Sequence, residues 1–343
     1  MIKNIAIVSL SAGTIGEDFV KHEVEPGVKR LEDYGLNVKF MPNALKGIKY
    51  LKEHPEKRAE DLIAAFKDES IDMILCAIGG DDTYRLSPYL FDNDELKKVL
   101  NKKVFLGFSD TTTNHMMLAK LGLNTFYGQS FLADICEMDE EMLPYSKKYF
   151  EELIKTGTIS KITPSEVWYE ERTDYSIAAL NTKRVAHKNS GFKLLQGSPV
   201  FKGKILGGCL DVFYDYFTNE RYEDTKEIAD KYNLLGDKEL WRDKILLLET
   251  SEEKMSPEKY RKSLNYLKER GIFDNLRGII MGKPIDEVYH DEYKEIIKEV
   301  VNNKDLPIMT NVSIGHATPR CIIPFGVECV VDCNRQVIEF NND

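Results

Sequence analysis

The chain has 343 residues, of which 42% are hydrophobic and 30% charged, and its formal net charge is −10. This length and composition are typical of a globular protein with two domains. The negative charge argues against nucleic acid and anionic membranes as partners, because both are usually bound through basic patches.

Two further features bear on the location of the protein. The N-terminal run MIKNIAIVSLSAG is too short for a signal peptide, and no stretch has the roughly 18 apolar residues that span a bilayer. The six cysteines include no C-x-x-C pair, which favours reduced, buried thiols over a zinc or redox motif. We therefore predict a cytoplasmic protein.

In the first half of the chain, short apolar runs alternate with amphipathic stretches. NIAIVSL, NVKFM, IDMILCAI and KVFLGF predict strands, and helical patterns lie between them. Pro55 is typical of a helix N-terminus, whereas Pro26 is expected to interrupt or kink its helix. The alternation predicts a parallel sheet covered on both faces, with ligands at the carboxyl ends of its strands. The segments GGDD and GFSD lie at such ends.

The rest of the chain divides into a connection and a second α/β region. We predict an N-terminal α/β domain over residues 1–160, an irregular connection over 161–190 and a C-terminal domain over 191–343. In the last of these, KGKILGG, KILLLET, RGIIMGK and LPIMTNVSIGH predict strands, and Ser256 with Pro257 predicts a helix start. The segment GVECVVDCNRQVIEF predicts a C-terminal hairpin.

Ser109, in VFLGFSDTTTNH, is the first candidate catalytic residue. A serine on a tight strand-to-helix turn is exposed as a nucleophile, and the helix N-terminus stabilises negative charge beside it. The usual G-x-S-x-G pattern is incomplete, since Thr111 stands in place of the second glycine. On this stretch alone, Ser109 or Asp110 acting as a helix cap is the favoured interpretation.

A base and an acid are needed to activate a serine. His316 follows an apolar run and Gly315, where a histidine can serve as a base. Glu249 ends KILLLE, and a carboxylate there is costly unless it is paired. Glu252 and Glu253 are interpreted as a solvated cluster. His115 is expected to be a packing residue or to support the site from behind.

Gly79 and Gly80 could let the backbone approach a substrate and supply an oxyanion hole. Their alternative role is a plain strand-to-helix turn capped by Asp81 or Asp82. The same GGDDT also resembles the phosphate- and Mg²⁺-placing motif of phosphofructokinases, so a phosphotransferase is the competing class. That hypothesis leaves GFSD, LLLE and SIGH unexplained.

Five segments together resemble the LD-carboxypeptidase family of serine peptidases, and the microcin C immunity branch in particular. They are IGGDDTYRLSPYL, LGFSDTTTNH, KGKILGGCLDVF, LLLETSEE and SIGHATPR, in that order. The resemblance implies a flavodoxin-like N-terminal domain, a smaller α/β C-terminal domain, a cleft between them and commonly a homodimer. It implies a serine carboxypeptidase without a metal or other cofactor.

The resemblance also assigns roles to residues. The nucleophile, acid and base would be Ser109, Glu249 and His316, and the oxyanion would be held by the backbone amides of Gly80 and Asp110. The implied substrate-binding residues are Gly79, Asp81, Phe192, Cys209 and Lys254, with Arg320 as an alternative to Lys254 for binding a carboxylate. Phe192 and Cys209 stand where family members often have a tryptophan and an asparagine, and Trp168 is an alternative stacking residue.

The predicted function is hydrolysis of an amide in an aminoacyl-nucleotide-like or short peptide substrate, as in self-immunity to microcin C. A murein tetrapeptide carboxypeptidase is the alternative within the family. The alternatives of other classes are the phosphotransferase and a catalytically silent protein that binds a small ligand.

Overall fold

The computed structural model describes residues 1–341, and the chain divides into two units. The first unit comprises Met1–Thr158 and Arg172–Arg184, and the second comprises Ile159–Glu171 and the chain from Val185 onward. No helix in the described chain combines the length and the apolar composition needed to cross a membrane.

The first unit is built on parallel strands in the order β2-β1-β3-β4-β5, which is the flavodoxin-like order. The residues of β3 are all buried, as expected for a central strand of a sheet covered on both faces. The strands are β1 (Asn4–Val8), β2 (Asn37–Phe40), β3 (Met73–Cys76), β4 (Val104–Gly107) and β5 (Phe126–Tyr127). The predicted fold class is confirmed.

The helices of the first unit connect these strands. They are α1 (Lys21–Asp33), α2 (Ile48–Glu53), α3 (Pro55–Lys67), α4 (Ser87–Phe91), α5 (Glu95–Val99), α6 (Thr112–Lys120) and α7 (Pro144–Thr156). Pro55 is the first residue of α3, as predicted. Helix α1 continues across Pro26, so of the predicted interruption or kink, the interruption does not occur. Gly27 and Leu31 are buried on the same helix, and their packing outweighs the loss of one backbone hydrogen bond.

The second unit contains an eight-stranded mixed sheet in the order β6-β16-β15-β10-β11-β12-β13-β9. Its centre, β10 to β13, is parallel, and the flanking pairs are antiparallel. The strands of this sheet are β6 (Lys161–Ile162), β9 (Lys193–Gln196), β10 (Val200–Cys209), β11 (Lys244–Glu249), β12 (Gly278–Gly282), β13 (Ile308–Val312), β15 (Glu328–Asp332) and β16 (Val337–Phe340). Three short strands of this part of the chain lie outside the sheet: β7 (Val167–Tyr169), β8 (Ala186–Lys188) and β14 (Ile323–Pro324).

The helices of the second unit are α8 (Leu210–Asp215), α9 (Thr225–Lys231), α10 (Lys238–Trp241), α11 (Pro257–Glu269) and α12 (His290–Val301). The Ser256 hydroxyl accepts a hydrogen bond of 3.2 Å from the Lys259 N–H, which confirms the predicted start of α11. Strands β15 and β16 form the predicted C-terminal hairpin.

Residues 161–190, predicted as an irregular connection, contain the three short strands β6, β7 and β8. Strands β7 and β8 pair antiparallel within the second unit. Between them, Arg172–Arg184 belongs to the first unit, where the Arg172 and Arg184 side chains pair with the buried Glu137 carboxylate at 3.0 and 2.9 Å. Because β6 to β8 join the second unit, the two units are similar in size, although the sequence predicted a smaller second domain.

A buried ion pair fixes the loop after β3 in the first unit. The Arg58 side chain on α3 is fully buried and donates to both carboxylate oxygens of Asp82, at 2.5 and 3.1 Å. It also donates to the carbonyls of Leu10 and Ser11, which follow β1. The second aspartate of GGDD is therefore a structural residue that ties two strand-end loops to a helix.

Replacing Arg58 with methionine is expected to destabilise the first unit by about 3–5 kcal/mol, because the Asp82 carboxylate would remain buried without its counter-ion. Urea unfolding measures the change. Arg242→Met is the control, since Arg242 pairs with Glu239 at the surface and its loss should cost less than about 1 kcal/mol. Equal effects of the two substitutions would contradict the structural role of Arg58.

Candidate active site

Ser109 lies on a sharp turn between β4 and α6. Phe108 is extended, and Ser109 has a left-handed backbone with φ of +63° before the short 3₁₀ turn Ser109–Thr111 that leads into α6. A non-glycine residue in this region costs about 1–3 kcal/mol and is common at active sites. Phe108 is the N-cap of this 3₁₀ turn, and Thr111 is the N-cap of α6. Neither Ser109 nor Asp110 therefore occupies the helix-cap position that the isolated stretch favoured.

Thr111, which departs from the G-x-S-x-G pattern, fits this turn. Its hydroxyl donates a 2.7 Å hydrogen bond to the Phe108 carbonyl and closes the turn around Ser109. The side chain is buried. A threonine whose hydroxyl bonds to the backbone of the turn can thus replace the second glycine of the pattern, and the turn stays closed.

The glycine loop after β3 packs directly on Ser109. A Cβ atom on Gly79 would lie 2.7 Å from both Cβ and Oγ of Ser109, so only glycine allows this approach. Gly80, the next residue, is exposed. Within residues 1–341, the backbone N–H groups of Gly80 and Asp110 donate no hydrogen bond. Both amides are thus available to an anionic group beside Ser109.

The Asp110 side chain has a separate, structural role. Its carboxylate accepts hydrogen bonds from the Ser11 hydroxyl, from the Thr83 N–H at 2.9 Å and from the Thr83 hydroxyl at 2.6 Å. Burial raises the pKa of the Asp110 carboxyl, although these hydrogen bonds oppose the rise. This carboxylate joins the loops that follow β1, β3 and β4. No role was predicted for Ser11 or Thr83, although their position after predicted strands could have indicated one.

His115 supports the turn from behind, as the sequence predicted. Its Nε2 lies 3.1 Å from the Gly107 carbonyl, which can only accept, so Nε2 donates and Nδ1 accepts from the Thr125 hydroxyl at 2.7 Å. Complete burial lowers the pKa of His115 to about 3. This histidine is neutral and fixes the end of β4. The Tyr127 hydroxyl accepts the Ser109 N–H at 3.2 Å and fixes the turn further.

Glu249 and His316 are paired in the second unit. Glu249 is the last residue of β11, and His316 follows β13. Glu249 Oε2 accepts hydrogen bonds from His316 Nδ1 at 2.7 Å and from the His316 backbone N–H at 3.2 Å. A Cβ on Gly315 would lie 2.3 Å from Glu249 Oε2, so the glycine before the histidine makes room for this pair. Such a carboxylate orients an imidazole and stabilises its protonated form.

A second carboxylate reaches the other nitrogen of His316. Glu252 Oε2 lies 3.0 Å from His316 Nε2, although the Glu252 side chain is 59% exposed. Burial alone would lower the pKa of His316, but the Glu249 and Glu252 carboxylates outweigh it and raise that pKa to about 10. Glu252 is thus exposed, in agreement with its interpretation as a solvated residue, but its contact with His316 was not predicted. Glu252 lies three residues after Glu249 in the loop that follows β11, and this proximity to the predicted acid could have indicated a contact with His316.

Replacing Glu252 with glutamine is expected to shift the pH profile of kcat/KM. A general base must be neutral in the free enzyme, so activity should rise as pH approaches the pKa of His316. Removing one anionic partner lowers that pKa, and we expect the midpoint to move to lower pH by about one unit. Glu253→Gln is the matched control, because Glu253 pairs with Arg221 at the surface. An unchanged profile in Glu252→Gln would contradict the role assigned to this contact.

The predicted substrate-binding residues occupy varied environments. Asp81 is half-buried and Cys209 is buried, whereas the Phe192 ring is only 1% exposed, so its stacking on a ligand stays a prediction. Lys254 already pairs with Asp286 at 2.9 Å and lies 3.6 Å from Glu171. The hydrogen bond to Asp286 raises the pKa of the Lys254 ammonium.

The two alternative binding residues are also in contact with protein groups. Arg320 is buried and donates to the His316 carbonyl at 3.3 Å. Trp168 stacks on His187 with ring centroids 4.4 Å apart. One group of described side chains could hold a metal ion: Cys209, Glu249 and His316 are all buried, and their ligand atoms lie within 4.8 Å of one another.

Two family models match the chain, one in each half. The model described as the LD-carboxypeptidase N-terminal domain matches residues 5–128. The model described as the LD-carboxypeptidase C-terminal domain matches residues 202–331. Together they include all three candidate catalytic residues.

Individual relatives agree with these matches. The crystal structure of an MccF-like protein from Streptococcus pneumoniae in complex with AMP is 62% identical, with 99% of each chain covered and a TM-score of 0.98. The microcin C7 self-immunity protein MccF of Escherichia coli is 26% identical over 82% of this chain and 77% of its own. A structure of MccF in complex with aspartyl sulfamoyl adenosine covers 99% of this chain and 96% of its own, with a TM-score of 0.78 at 23% identity, and shows the shared fold.

A relative with a different named activity also matches. The Bacillus subtilis protein named "Probable murein peptide carboxypeptidase" is 24% identical over 88% of this chain and 82% of its own. No comparison supports a phosphotransferase. From the matches in both halves and the 62% identical structure, we conclude that this chain belongs to the LD-carboxypeptidase family of peptidases.

Proposed function

We propose that the protein is a serine carboxypeptidase or amidase in which Ser109, Glu249 and His316 form the catalytic triad. The N-terminal domain would carry the nucleophile and the oxyanion loop, and the C-terminal domain the acid and the base. The observation that carries the proposal is the left-handed backbone of Ser109 on a strand-to-helix turn with Gly79 packed on its side chain. This conformation exposes a hydroxyl beside a helix N-terminus and is typical of nucleophilic serines.

The proposed reaction proceeds in two halves. In the proposed reaction, Glu252 gives up its contact with Nε2, and His316 in its neutral form takes the Ser109 proton there as Oγ attacks the scissile carbonyl carbon. The negative charge forms on the carbonyl oxygen. The N–H groups of Gly80 and Asp110 stabilise this oxyanion. The imidazolium then gives its proton to the leaving amine, and water, deprotonated by His316, releases the acyl group from Ser109. Glu249 orients the imidazole and stabilises its cation.

Within this reaction class, we propose an aminoacyl-nucleotide-like substrate. The support is the 62% identical relative, whose structure is described as a complex with AMP. The aspartyl sulfamoyl adenosine complex of MccF points to the same class. A murein tetrapeptide is the second candidate, supported by the name of the Bacillus subtilis relative. The cytoplasmic location and the homodimer remain predictions from the sequence.

The geometry of GGDD weighs against the phosphotransferase. Both carboxylate oxygens of Asp82 bind Arg58, so this aspartate is occupied by a structural ion pair. A Mg²⁺ site would need such carboxylate oxygens for the metal.

The test uses two substrates and a covalent probe. Aspartyl sulfamoyl adenosine and a murein tetrapeptide are each incubated with the protein, and released amino acids and nucleosides are identified by mass spectrometry. A fluorophosphonate should form an adduct that peptide mapping places on Ser109. Hydrolysis of the sulfamoyl adenosine alone supports the first substrate class, and hydrolysis of the tetrapeptide alone supports the second. The absence of a Ser109 adduct together with phosphate transfer from ATP would overturn the proposal.

A further inference from the structure

Cys209 lies beside the Glu249–His316 pair but has no role in the proposed reaction. It is the last residue of β10, as Glu249 is of β11, and the two residues are paired in the parallel register of these strands. Both side chains are at most 2% exposed. The carboxyl ends of two neighbouring strands thus place a thiol and a carboxylate side by side.

These groups form a compact set of metal ligands. The ligand atoms of Cys209, Glu249 and His316 lie within 4.8 Å of one another. Side-chain shifts of about 1 Å would bring them to the spacing of roughly 3.3–3.7 Å between the ligands of one tetrahedral zinc ion. A thiolate, an imidazole and a carboxylate are the donors that zinc takes in proteins. Three protein ligands would leave the fourth tetrahedral position for water.

A second buried carboxylate, that of Asp211, lies next to Cys209 and is only partly hydrogen-bonded. Asp211 is 6% exposed, and its Oδ1 has no hydrogen-bond partner within the described chain. Its other oxygen accepts the Ser251 N–H at 2.9 Å and lies 3.7 Å from Cys209 Sγ. A buried carboxylate oxygen without a partner is costly. A cation, or a water bound to it, would satisfy this oxygen.

We propose that Cys209, Glu249 and His316 bind a zinc ion, with Asp211 as an outer partner, and that zinc reversibly inhibits the enzyme. On binding, the Cys209 thiol loses its proton to solvent and the sulfur bonds to the metal. The ion takes Glu249 and His316 as ligands, so the imidazole is no longer available as a base. The zinc site is formed by residues of the second unit only, whereas the inhibition rests on the proposed function.

Cobalt(II) provides a spectroscopic test of the binding site that does not depend on turnover. The intact protein should bind about one equivalent and show a thiolate-to-cobalt charge-transfer band in the near ultraviolet. The band should persist in Cys333→Ser, a control at another buried cysteine, and disappear in Cys209→Ser. Cobalt bound without this band, or an identical spectrum in Cys209→Ser, would overturn the assignment.

Zinc affinity, measured by equilibrium dialysis with elemental analysis, gives an independent readout. Cys209→Ser should weaken binding by more than about 100-fold, and Asp211→Asn by about 10–100-fold, as expected for a ligand and an outer partner. Circular dichroism checks that each variant is folded. Equal affinities in the wild type and in both variants would refute the site.

Inhibition is scored as the ratio of turnover with and without zinc for each variant. Zinc should lower the wild-type and Cys333→Ser rates, a chelator should restore them, and the Cys209→Ser ratio should stay near one. Metal binding with no change in the wild-type ratio would overturn the inhibitory role. If no substrate is turned over at all, the proposed function fails, and the cobalt and dialysis results still decide the metal site.

Discussion

Replacement of Ser109 by alanine is expected to lower turnover by about six orders of magnitude, because the nucleophile and the proton it gives to His316 are lost together. Initial rates with the preferred substrate, followed by mass spectrometry, measure the change. The oxyanion amides remain in place, so a small residual rate above the uncatalysed reaction is expected.

Two controls separate catalysis from folding. Ser70→Ala, at an exposed serine that bonds to Asp68, should leave turnover unchanged. Ser109→Gly should abolish turnover and yet stabilise the first unit by about 1 kcal/mol, since glycine adopts the left-handed backbone without strain. Wild-type rates in Ser109→Ala would rule out Ser109 as the nucleophile.

Replacement of Glu249 by glutamine is expected to lower turnover by about four orders of magnitude. The amide can still bond to His316 Nδ1, but it no longer stabilises the imidazolium or selects the correct tautomer. Rates measured at pH 7 and at higher pH distinguish this loss of catalysis from a simple shift of the pH profile, because a shifted profile would change the rate at only one of the two pH values.

Glu253→Gln serves again as the matched control, because it removes a carboxylate from the same loop without touching the His316 ring. Its turnover should stay within about twofold of the wild type. If Glu249→Gln keeps a tenth or more of the wild-type rate, Glu249 is not the acid of the triad.

Much of the fold could be predicted from local patterns. The apolar runs that predict strands correspond to β1, β3, β4 and the parallel centre of the second sheet, because buried parallel strands are continuous apolar segments. The continuity of α1 across Pro26 could not be predicted, since the packing of Gly27 and Leu31 is a tertiary effect that no local rule includes. The polar segment with β7 and β8 was called irregular because short, half-exposed strands carry little periodicity.

The candidate site was less accessible to local reasoning. Ser109 alone looked like a helix cap, and only the five ordered segments of the family favoured a nucleophile. The left-handed backbone of Ser109 and its close packing against Gly79, thirty residues earlier, are tertiary features that no local pattern contains. Glu252 was missed since the contact with His316 joins a strand-end loop to residues more than sixty positions away.

The return of Arg172–Arg184 to the first unit has a consequence for biosynthesis. Glu137 is buried and depends on the guanidinium groups of Arg172 and Arg184 as counter-ions. The ribosome adds these two arginines only after it has made residues 159–171, which belong to the second unit. The N-terminal unit therefore cannot finish folding as an independent first domain on the ribosome, although N-terminal domains usually do. A chain ending at residue 158 should leave Glu137 without its counter-ions, and the nascent protein should acquire its protease-resistant N-terminal core only after residue 184 has emerged.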